Sequence, residues 1–359
     1  FHADDGIRAD VESRGLGEVY KRQAVGHVLC HDITQIVKDE KKGPVFRKGH
    51  IVREEDIPVL LSVGKEHLYV WEKEKGMLHE NEGARILRDI CKNEYMEESE
   101  VKEGKIELTA AIDGLFKVKK EKLLAVNCLG EMMIACRHGN TPVKKGDKLA
   151  GMRVIPLVIE EEKMRKATEA AGEEPIFSIM PYKEKKVGIV TTGSEVYKGL
   201  IKDAFGPVLV EKMSEYPSRI LGQKIVDDKM EHITQAVREF LDAGADLILC
   251  TGGMSVDPDD CTPGAIRNLG AEVISYGAPV LPGAMLLVAY YRNGDRVVPV
   301  VGLPGCVMYA KRTVFDLVLP RIMADDPITA KELALLGEGG LCLNCPVCTY
   351  PACGFGKGW

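Results

Sequence analysis

The 359-residue sequence lacks any apolar run near the roughly 20 residues that a membrane-spanning helix needs, and it begins without a basic-then-apolar signal pattern. It also lacks a broad positive charge, because 48 Lys and Arg stand against 54 Asp and Glu and the formal net charge is -6. Nucleic acid and anionic membrane surfaces are therefore poor candidates for the main partner. We expect a soluble cytoplasmic protein in which any anionic ligand is bound by a local site.

Cysteine is scattered along most of the chain and crowded near its C-terminal end. Of the 11 cysteines, four fall within residues 342–353. Scattered cysteines in a chain of this length favour free thiols in a reducing compartment over a disulfide framework. The crowded spacing C-x-x-C-x-x-C-x-x-x-x-C gives four thiolates that one [4Fe–4S] cluster or one Zn²⁺ could collect, and free or redox-active thiols are the alternative. The candidate metal ligands are Cys342, Cys345, Cys348 and Cys353.

No internal repeat or low-complexity tract organises the chain, but its length and 45% hydrophobic content are enough for two or three domains. A helix is predicted over 54–61, a charged linker over 94–105, and β-type runs over 123–126 and 132–135. The expected division is 1–23 unassigned, 24–105 an opening region, 106–160 a small β-rich domain, 161–185 a connector, 186–325 an α/β domain and 326–359 a Cys-rich tail.

Strands and helices alternate from residue 186 to about 323. The clearest helix covers 228–243, because its apolar residues recur on one face and Gly244 follows as a stop. Asn293 and Gly294 between two apolar runs are a strong hairpin signal. The alternation predicts an α/β fold with an open, mostly parallel sheet that has one antiparallel excursion.

Three glycine-centred segments each follow a β-branched run of strand length, at residues 191–195, 251–260 and 302–305. Glycine has no Cβ, so the backbone can turn sharply at the strand end where parallel sheets bind ligands. In the first segment a helix start would favour a phosphate, and a tight turn capped by Ser194 is the alternative. The third segment is either a ligand loop or a rigid turn before a helix over 307–323.

The second segment is the richest in chemistry. Two glycines allow close backbone approach, and three carboxylates crowd into residues 257–260. Like charges so close need compensation, which Mg²⁺ could supply by taking one or two carboxylates together with ligand phosphates. The alternative is an acidic turn in which Asp260 or Thr262 caps the next helix. Asp228 could cap its own helix in the same way, which would leave Asp227 as the freer carboxylate.

These segments resemble a known family. Thr-Gly-Ser-Glu at 192–195, Thr-Gly-Gly-x-Ser at 251–255, Pro-Gly at 282–283 and Gly-Leu-Pro-Gly at 302–305 resemble the molybdopterin-binding domain of molybdenum-cofactor biosynthesis proteins. The four motifs also occur in the order typical of that domain. The resemblance implies the three-layer α/β fold over 186–325.

The resemblance extends toward the N-terminus. Residues 24–32, 46–50 and 56–64 are similar to the opening segment of the MoeA-type molybdotransferases. Residues 110–114 resemble the Ala-Met-Asp-Gly segment of that family, although they stand later in the chain than expected. The resemblance therefore covers most of the chain.

Several site residues and ligands follow from the resemblance. It implies molybdopterin or its adenylylated form, together with molybdate, as ligands, Mg²⁺ as a cofactor, and a homo-oligomer among the expected states. Molybdate is a tetrahedral oxyanion, so its delivery calls for N–H donors and a metal or basic group, for which Lys198 and Lys202 are candidates. The acidic residues implied as catalytic are Glu195, Asp227, Asp260 and Asp113. The candidate residues of the pterin-phosphate loops are Thr192, Gly193, Ser194, Thr251, Gly252, Gly253, Ser255, Pro304 and Gly305.

Two departures from the family pattern bear on the reaction. Ser194 stands where the family usually has Asp, and Gly-Cys-Val at 305–307 stands where it has Gly-Asn-Pro. Residues 259–263 look closer to the related molybdopterin adenylyltransferases. The sequence thus predicts molybdopterin binding by a molybdotransferase-like enzyme. Adenylyl transfer is one alternative, and a noncatalytic carrier or sensor with a metal or redox tail is the other.

Overall fold

The chain folds into two compact units, each built from more than one stretch of sequence. The first consists of residues up to 111, 118–137 and 145–178, and the second of 112–117, 138–144 and 179 onward. Within the described part of the chain, no helix is long and apolar enough to cross a membrane. Asp259 and most of the unassigned residues 1–23 lie outside the described ranges. The computed structural model describes residues 16–20, 24–29, 32–37, 41–64, 67–71, 75–255, 257 and 260–358.

The first part of unit one is built from antiparallel strand pairs. Strand β1 (Leu16–Tyr20) pairs with β4 (His67–Trp71), and β2 (Ile33–Val37) pairs with β3 (Lys41–Phe46). A 3-10 turn at Glu54–Asp56 leads into helix α1 (Ile57–Ser62), which confirms the helix predicted over 54–61. The residues of its small core are Ala24, Leu29, Ile33, Val52, Leu60 and Leu68.

The rest of unit one packs short helices on a four-stranded antiparallel sheet in the order β6-β7-β11-β9. The strands of this part are β5 (Met77–His79), β6 (Met96–Glu98), β7 (Lys105–Ala110), β9 (Met132–Cys136), β11 (Lys148–Val154) and β12 (Val158–Glu160). The helices are α2 (Glu80–Cys91), α3 (Lys120–Asn127) and α4 (Glu161–Ala171).

Two local predictions in unit one were wrong. The run 123–126 lies in helix α3, because Leu and Ala are good helix formers and only Val126 of that helix is buried, so no alternating strand face is required. The charged stretch 94–105 is part of a hairpin, since it contains β6 and Ser99 N donates to Glu107 O on β7 at 2.9 Å. The β-type run at 132–135 is confirmed by β9.

Unit two is organised around a six-stranded sheet in the order β15-β14-β16-β19-β18-β17. Strands β14, β15, β16 and β19 are parallel neighbours, and β18 pairs antiparallel with β19 and β17. This confirms a mostly parallel sheet with one antiparallel excursion. The strands are β14 (Lys185–Thr192), β15 (Ser218–Val226), β16 (Leu247–Thr251), β17 (Glu272–Tyr276), β18 (Leu287–Asn293) and β19 (Arg296–Leu303).

Further elements complete unit two. Asn293 pairs with Arg296 across the turn between β18 and β19, which confirms the predicted hairpin. A second sheet has the order β10-β8-β13, with β8 at Gly114–Val118, β10 at Thr141–Val143 and β13 at Phe177–Pro181. The helices are α5 (Ser194–Tyr197), α6 (Phe205–Ser214), α7 (Met230–Asp242), α8 (Thr262–Asn268), α9 (Val314–Met323) and α10 (Ala330–Leu335).

Both faces of the six-stranded sheet are buried, which explains why its strands read as unbroken apolar runs. In β16, Leu247 and Leu249 join the core that contains α6 and α9. Ile248 and Cys250 join the opposite core, which contains α7 and α8. Successive side chains of a strand thus pack against helix layers on opposite faces of the sheet. The predicted three-layer αβα arrangement is confirmed.

The helix predicted over 307–323 begins later than expected. Gly305–Met308 forms a 3-10 turn, and α9 starts only after Thr313. Thr313 Oγ1 accepts from Phe315 N, and the Asp316 carboxylate accepts from Thr313 N at 2.7 Å. This reciprocal capping box fixes the start of the helix and leaves residues 309–312 outside it.

A buried ion pair joins α6 to α9. Lys212 Nζ lies 2.7 Å from Asp316 Oδ1, and the two side chains are only 11% and 4% exposed. Arg312 NH1 donates to the same oxygen at 2.8 Å. Because charges buried this deeply depend on their partners, the pair holds two elements of one helix layer in register.

Replacing Asp316 with Asn should lower the free energy of unfolding by about 3 kcal/mol, because buried Lys212 loses its carboxylate. Urea unfolding followed by circular dichroism measures the change. Asp246→Asn is the matched control, since Asp246 forms a 3.6 Å pair with Arg296 in which both side chains are about 40% exposed. That change should cost less than about 1 kcal/mol. Equal costs at the two positions would contradict the importance of the buried pair.

Candidate functional site

Three loops meet at the carboxyl edge of the six-stranded sheet because the last residues of the parallel strands are in register with one another. Thr192, the last residue of β14, is in register with Val226, the last of β15. Thr191 faces Thr251 at the end of β16, and Thr251 faces Leu303 at the end of β19. The glycine-centred segments that follow β14, β16 and β19 therefore lie side by side, together with Asp227 and Asp228 after β15.

Buried threonine hydroxyls tie these strand ends together. Thr251 Oγ1 donates to Thr191 Oγ1 at 3.2 Å, and Gln223 Nε2 donates to the same oxygen at 2.8 Å. Thr262 Oγ1 donates to the Gly252 carbonyl oxygen at 2.8 Å. The candidate residue Thr251 is fully buried, so its hydroxyl braces the loops. Thr191, Gln223 and Thr262 are supporting residues that no motif in the sequence singled out as such.

The same bracing involves the candidate residue Thr192. Its hydroxyl oxygen lies 3.3 Å from Thr262 Oγ1, and its side chain is buried. The bond spans the first and second ligand loops, since Thr192 ends β14 and Thr262 begins α8. Thr192 therefore fixes the spacing of the loops, and a ligand would meet the loop backbone beyond it.

Both packing and backbone conformation require glycine at positions 252 and 253. Their φ values are 81° and 56°, in the left-handed region that favours glycine. A Cβ on Gly252 would overlap the Thr192 carbonyl oxygen, and a Cβ on Gly253 would lie 2.9 Å from Thr262 Oγ1. The space beside these glycines is thus filled by the neighbouring strand end, which allows the second loop to sit against the first.

The first loop is held by an aspartate that the sequence assigned to another role. Asp228 Oδ2 accepts from Ser194 N at 2.8 Å, while Lys229 occupies the cap position of α7. The expectation that Asp228 caps that helix was therefore wrong. Ser194 is the first residue of α5 and Gly193 is its cap. Because α5 has only four residues, its dipole would stabilise a bound anion only weakly.

Asp227 is paired rather than free. His232 Nδ1 lies 2.6 Å from Asp227 Oδ1, and Lys229 N donates to the same oxygen at 3.4 Å. Partial burial alone would raise the pKa of Asp227, but the His232 and Lys229 hydrogen bonds outweigh it and lower the pKa. The carboxyl group therefore stays ionised to a lower pH than an ordinary aspartate. His232 is a contact that sequence patterns did not reveal.

Asp260 lies in a turn and does not cap a helix. Its Oδ2 accepts from Asp257 N at 3.2 Å. The cap position of α8 is Cys261, without a side-chain cap bond, so the prediction of Asp260 or Thr262 as the cap was wrong. Asp260 is half-buried in this turn.

Tyr276 adds a phenol to the second loop. Its hydroxyl donates to the Met254 carbonyl at 2.9 Å and lies 3.1 Å from that of Ser255. Burial, together with the nearby Asp260 charge, raises the pKa of Tyr276. The phenol is therefore neutral at neutral pH and can act as a donor. It comes from the end of β17, so only the sheet order brings it to the loop.

Most of the remaining candidates are exposed. Glu195 and Ser255 are exposed on their loops, as are Lys198 and Lys202. Pro304 is buried and Gly305 is exposed at the start of the 3-10 turn after β19. These residues lie on the loops where the sequence placed them, and their ligand contacts stay predictions.

Asp113 belongs to unit two and is exposed just before β8. Burial raises the pKa of Tyr182, and the charge of Asp113 adds to that shift, so the carboxylate lies near this phenol. The Tyr182 ring stands edge-on to Tyr216, with centroids 5.0 Å apart. The structure thus places the Asp113 charge near Tyr182, and the role of Asp113 in catalysis stays a prediction.

The C-terminal cysteines lie around one cavity. Cys342 and Cys353 are half-buried, whereas Cys345 and Cys348 are exposed, and all four thiols are free. The four residues line a cavity of about 560 Å³ in unit two. Across the described ranges, no three His, Cys, Asp or Glu side chains are arranged to hold a metal ion. The thiols are therefore neighbours without being preformed into a tetrahedral site.

Comparison with known proteins identifies two segments. Residues 188–324 match the family model described as "Probable molybdopterin binding domain". Residues 18–72 match the model of a domain of unknown function, DUF8806. The second match overlaps the predicted MoeA-type opening region.

Two relatives and one solved structure show the extent of similarity. A molybdopterin molybdenumtransferase from Synechococcus elongatus is 27% identical over 217 residues, covering 58% of this chain and 51% of the relative. A molybdopterin adenylyltransferase from Pyrococcus furiosus is 29% identical over 137 residues, covering 35% of this chain and 80% of the relative. The crystal structure of the tungsten cofactor synthesizing protein MoaB from Pyrococcus furiosus is 26% identical, with a TM-score of 0.31, and covers 35% of this chain and 84% of its own.

Glycine loops along the carboxyl edge of a parallel sheet are typical of ligand-binding α/β domains. Residues 188–324 match the model of the probable molybdopterin binding domain, and the chain is similar to a molybdopterin molybdenumtransferase. The chain spans about half the length of the Synechococcus relative.

Replacing Gly252 with Ala should lower the free energy of unfolding by at least about 2 kcal/mol more than replacing Gly270 with Ala. Gly270 has nearly the same φ, 80°, but open space where a Cβ would be, so both variants suffer the same backbone strain. The difference isolates the overlap with Thr192. Denaturant unfolding of the two variants measures it, and equal losses would contradict the close approach of the first two loops.

Replacing His232 with Ala should raise the pKa of Asp227, because its hydrogen bond and charge are among the causes that lower it. A carboxyl with a lowered pKa contributes stability above its ordinary pKa and loses it as the pH falls through the folded value. Carbon-detected NMR titration of Asp227 measures the shift. An unmoved Asp227 would show that the His232 contact is absent in solution.

Proposed function

We propose that this chain acts in molybdenum-cofactor biosynthesis, binding molybdopterin at the carboxyl edge of the six-stranded sheet and inserting molybdate. The observation that carries this proposal is the level ending of parallel strands, which sets glycine loops side by side in a domain of the molybdopterin-binding family. Homology to a molybdopterin molybdenumtransferase supports a transferase reaction.

The loop backbone suits the terminal phosphate of the pterin. Gly252 and Gly253 leave β16 with positive φ, which puts half-exposed main chain at the strand end. Main-chain N–H groups in such turns can donate to phosphate oxygens without a bulky side chain in the way. The buried threonines behind the loop keep it in place, so the phosphate would meet a prearranged surface.

The carboxylates supply the negative side of the site. Asp227 is held ionised by His232 and Lys229, and Asp260 stands half-buried on the next loop. Either carboxylate could hold Mg²⁺, and bound Mg²⁺ would neutralise phosphate and molybdate charge. These carboxylates stand on separate loops. The neutral Tyr276 phenol lies near Asp260 and can act as a hydrogen-bond donor. Glu195 would complete the acidic group from the first loop.

Adenylyl transfer to molybdopterin is the second candidate function. The Pyrococcus adenylyltransferase matches over 80% of its own length, which favours a shared ligand-binding domain. Cys306 and Val307 also replace the Asn-Pro of the molybdotransferase pattern, and they lie in the 3-10 turn directly after the third loop. Molybdopterin or its adenylylated form would be the ligand in either reaction.

A noncatalytic carrier or sensor is the third candidate. In this role the tail would bind a [4Fe–4S] cluster or Zn²⁺, a proposal supported by four thiols around one cavity.

We also propose a cytoplasmic location, because the cysteines in the described ranges are free thiols. The exposed side chains of Leu200 and Ile201 beside the first loop support a homo-oligomer.

Replacing Asp260 with Asn should cut turnover by about 10² to 10⁴, the range for losing a positioned proton-transfer or electrostatic group. The fold should survive, because Asp260 does not cap α8. Purified protein is assayed separately for molybdenum insertion and for AMP transfer to molybdopterin, and calorimetry records pterin binding.

Asp242→Asn is the matched control for that change, since Asp242 is an exposed carboxylate at the end of α7. It should leave turnover unchanged. An Asp260 variant with full activity would overturn its assignment to the site. Tight pterin binding by the wild type with neither reaction would favour the carrier over both enzymes.

A further inference from the structure

The C-terminal tail closes one side of a cavity whose other side belongs to the six-stranded domain. Residues 309–312, which follow the 3-10 turn after the third ligand loop, line this cavity of about 560 Å³ together with Pro282. The four tail cysteines line it as well. One chain therefore supplies four soft donors around a single cavity.

Two of these cysteines are fixed by the fold. Cys342 N donates to Leu281 O at 2.8 Å, in a short parallel bridge between the tail and residues just before Pro282. Cys353 lies between Tyr350, whose hydroxyl donates to Asp316 O at 2.8 Å, and Phe355, which is 5% exposed in the core. The two half-buried thiols thus stand on backbone anchored at both ends of the tail.

The other two cysteines lie on the stretch between the anchors. Residues 342–349 form irregular backbone, and Cys345 and Cys348 are exposed within it. Leu343 and Val347 beside them are 78% and 75% exposed. Metal binding requires a movement of this stretch that carries both exposed thiols toward the fixed pair. Any burial of the two apolar side chains in that movement would favour the closure.

Positive charge lines the opposite wall. Lys311 Nζ donates to the Pro346 carbonyl at 3.4 Å, at the middle of the exposed stretch. Arg312 lies 5.0 Å over the Tyr350 ring and pairs with Asp316. Four thiolates around Zn²⁺ or a [4Fe–4S]²⁺ cluster carry a net charge of about -2. The Lys311 ammonium group is placed to compensate part of it.

We propose that this cavity is a single-chain site for one thiolate-ligated metal centre, Zn²⁺ or a [4Fe–4S] cluster, and that the stretch 343–348 closes over the centre when it binds. The inference rests on the metal-binding tail proposed above and adds its position, its closure and the role of Lys311. Binding releases the thiol protons of the four cysteines to solvent as the metal–sulfur bonds form.

The test uses the full chain purified anaerobically, with metal analysis, absorption spectra and size-exclusion chromatography with light scattering. Wild type should hold about one zinc or about four irons per chain, iron giving broad visible absorption. The double variant Cys345→Ser with Cys348→Ser should lose at least about 90% of the metal. Cys128→Ser is the matched control, because Cys128 is an exposed thiol of unit one, and it should keep the metal.

Closure is tested by iodoacetamide labelling and mass spectrometry. In metal-loaded wild type, Cys345 and Cys348 should label at least about tenfold more slowly than after chelation, and Cys128 should label equally in both states. Rapid labelling of the exposed pair with metal bound would overturn the closure. If the wild type is a dimer with half a metal per chain, and the double variant no longer dimerises, the metal is shared between two chains. That result would overturn the single-chain site.

The role of the Lys311 charge is tested by a matched pair of variants. Lys311→Glu should shorten metal retention against a chelator by about tenfold, because it places a negative charge beside the thiolates. Lys331→Glu, an exposed change on α10, should leave retention unaltered. Equal retention in the two variants would overturn the role of Lys311.

The metal and pterin proposals can fail separately. Absence of both metals from all samples would overturn the cavity site and the tail metal together. Molybdopterin calorimetry on the same samples tests the pterin proposal, and the double variant should bind pterin as the wild type does.

Discussion

The close approach of β14 and β16 at their carboxyl ends is the constraint on which the candidate site depends. Gly252 turns where a Cβ would overlap the Thr192 carbonyl, and the Thr191 and Thr251 hydroxyls bond behind it. Because the strands run parallel and end level, this contact places the loops after both strands on one surface. A displacement of either loop would break buried hydrogen bonds, so the site has little freedom to deform.

Polar residues at this edge divide by burial into supports and ligand candidates. The threonines of the strand ends are buried and mutually bonded, whereas Asp227 and Asp260 keep part of their carboxylates accessible. His232 and Tyr276 then set the charge state around them, one by keeping Asp227 ionised and the other as a neutral phenol. The separation gives a rigid, hydrogen-bonded base under a rim that carries the two carboxylates.

The second face of unit two carries a different kind of chemistry. Lys212, Arg312 and Asp316 form an ion network between α6 and α9, and Tyr350 binds the same helix from the tail. The tail is thereby anchored to this helix after its exposed cysteines, and the bridge from Cys342 to Leu281 holds it before them. Residues 309–312 connect this region to the third ligand loop, so one short segment borders both the predicted pterin loops and the thiol-lined cavity.

Local sequence determined the elements that depend on short-range physics. The period of 228–243, the Asn293-Gly294 turn and the apolar strand runs predicted the αβα unit, because packing on both sheet faces leaves an unmistakable pattern. The resemblance of the glycine loops also located the candidate edge. Sequence alone failed at 123–126, where an apolar run without clear period suits either helix or strand.

Only the tertiary structure decided which partner each polar side chain meets. It joined Asp228 to Ser194 and His232 to Asp227, and it brought Tyr276 from an edge strand to the second loop. These contacts depend on strand order and register, which local pattern does not encode. The sequence therefore located the candidate site on three loops, and the fold decided which of its residues are buried as supports of the loops and which stay exposed at the edge.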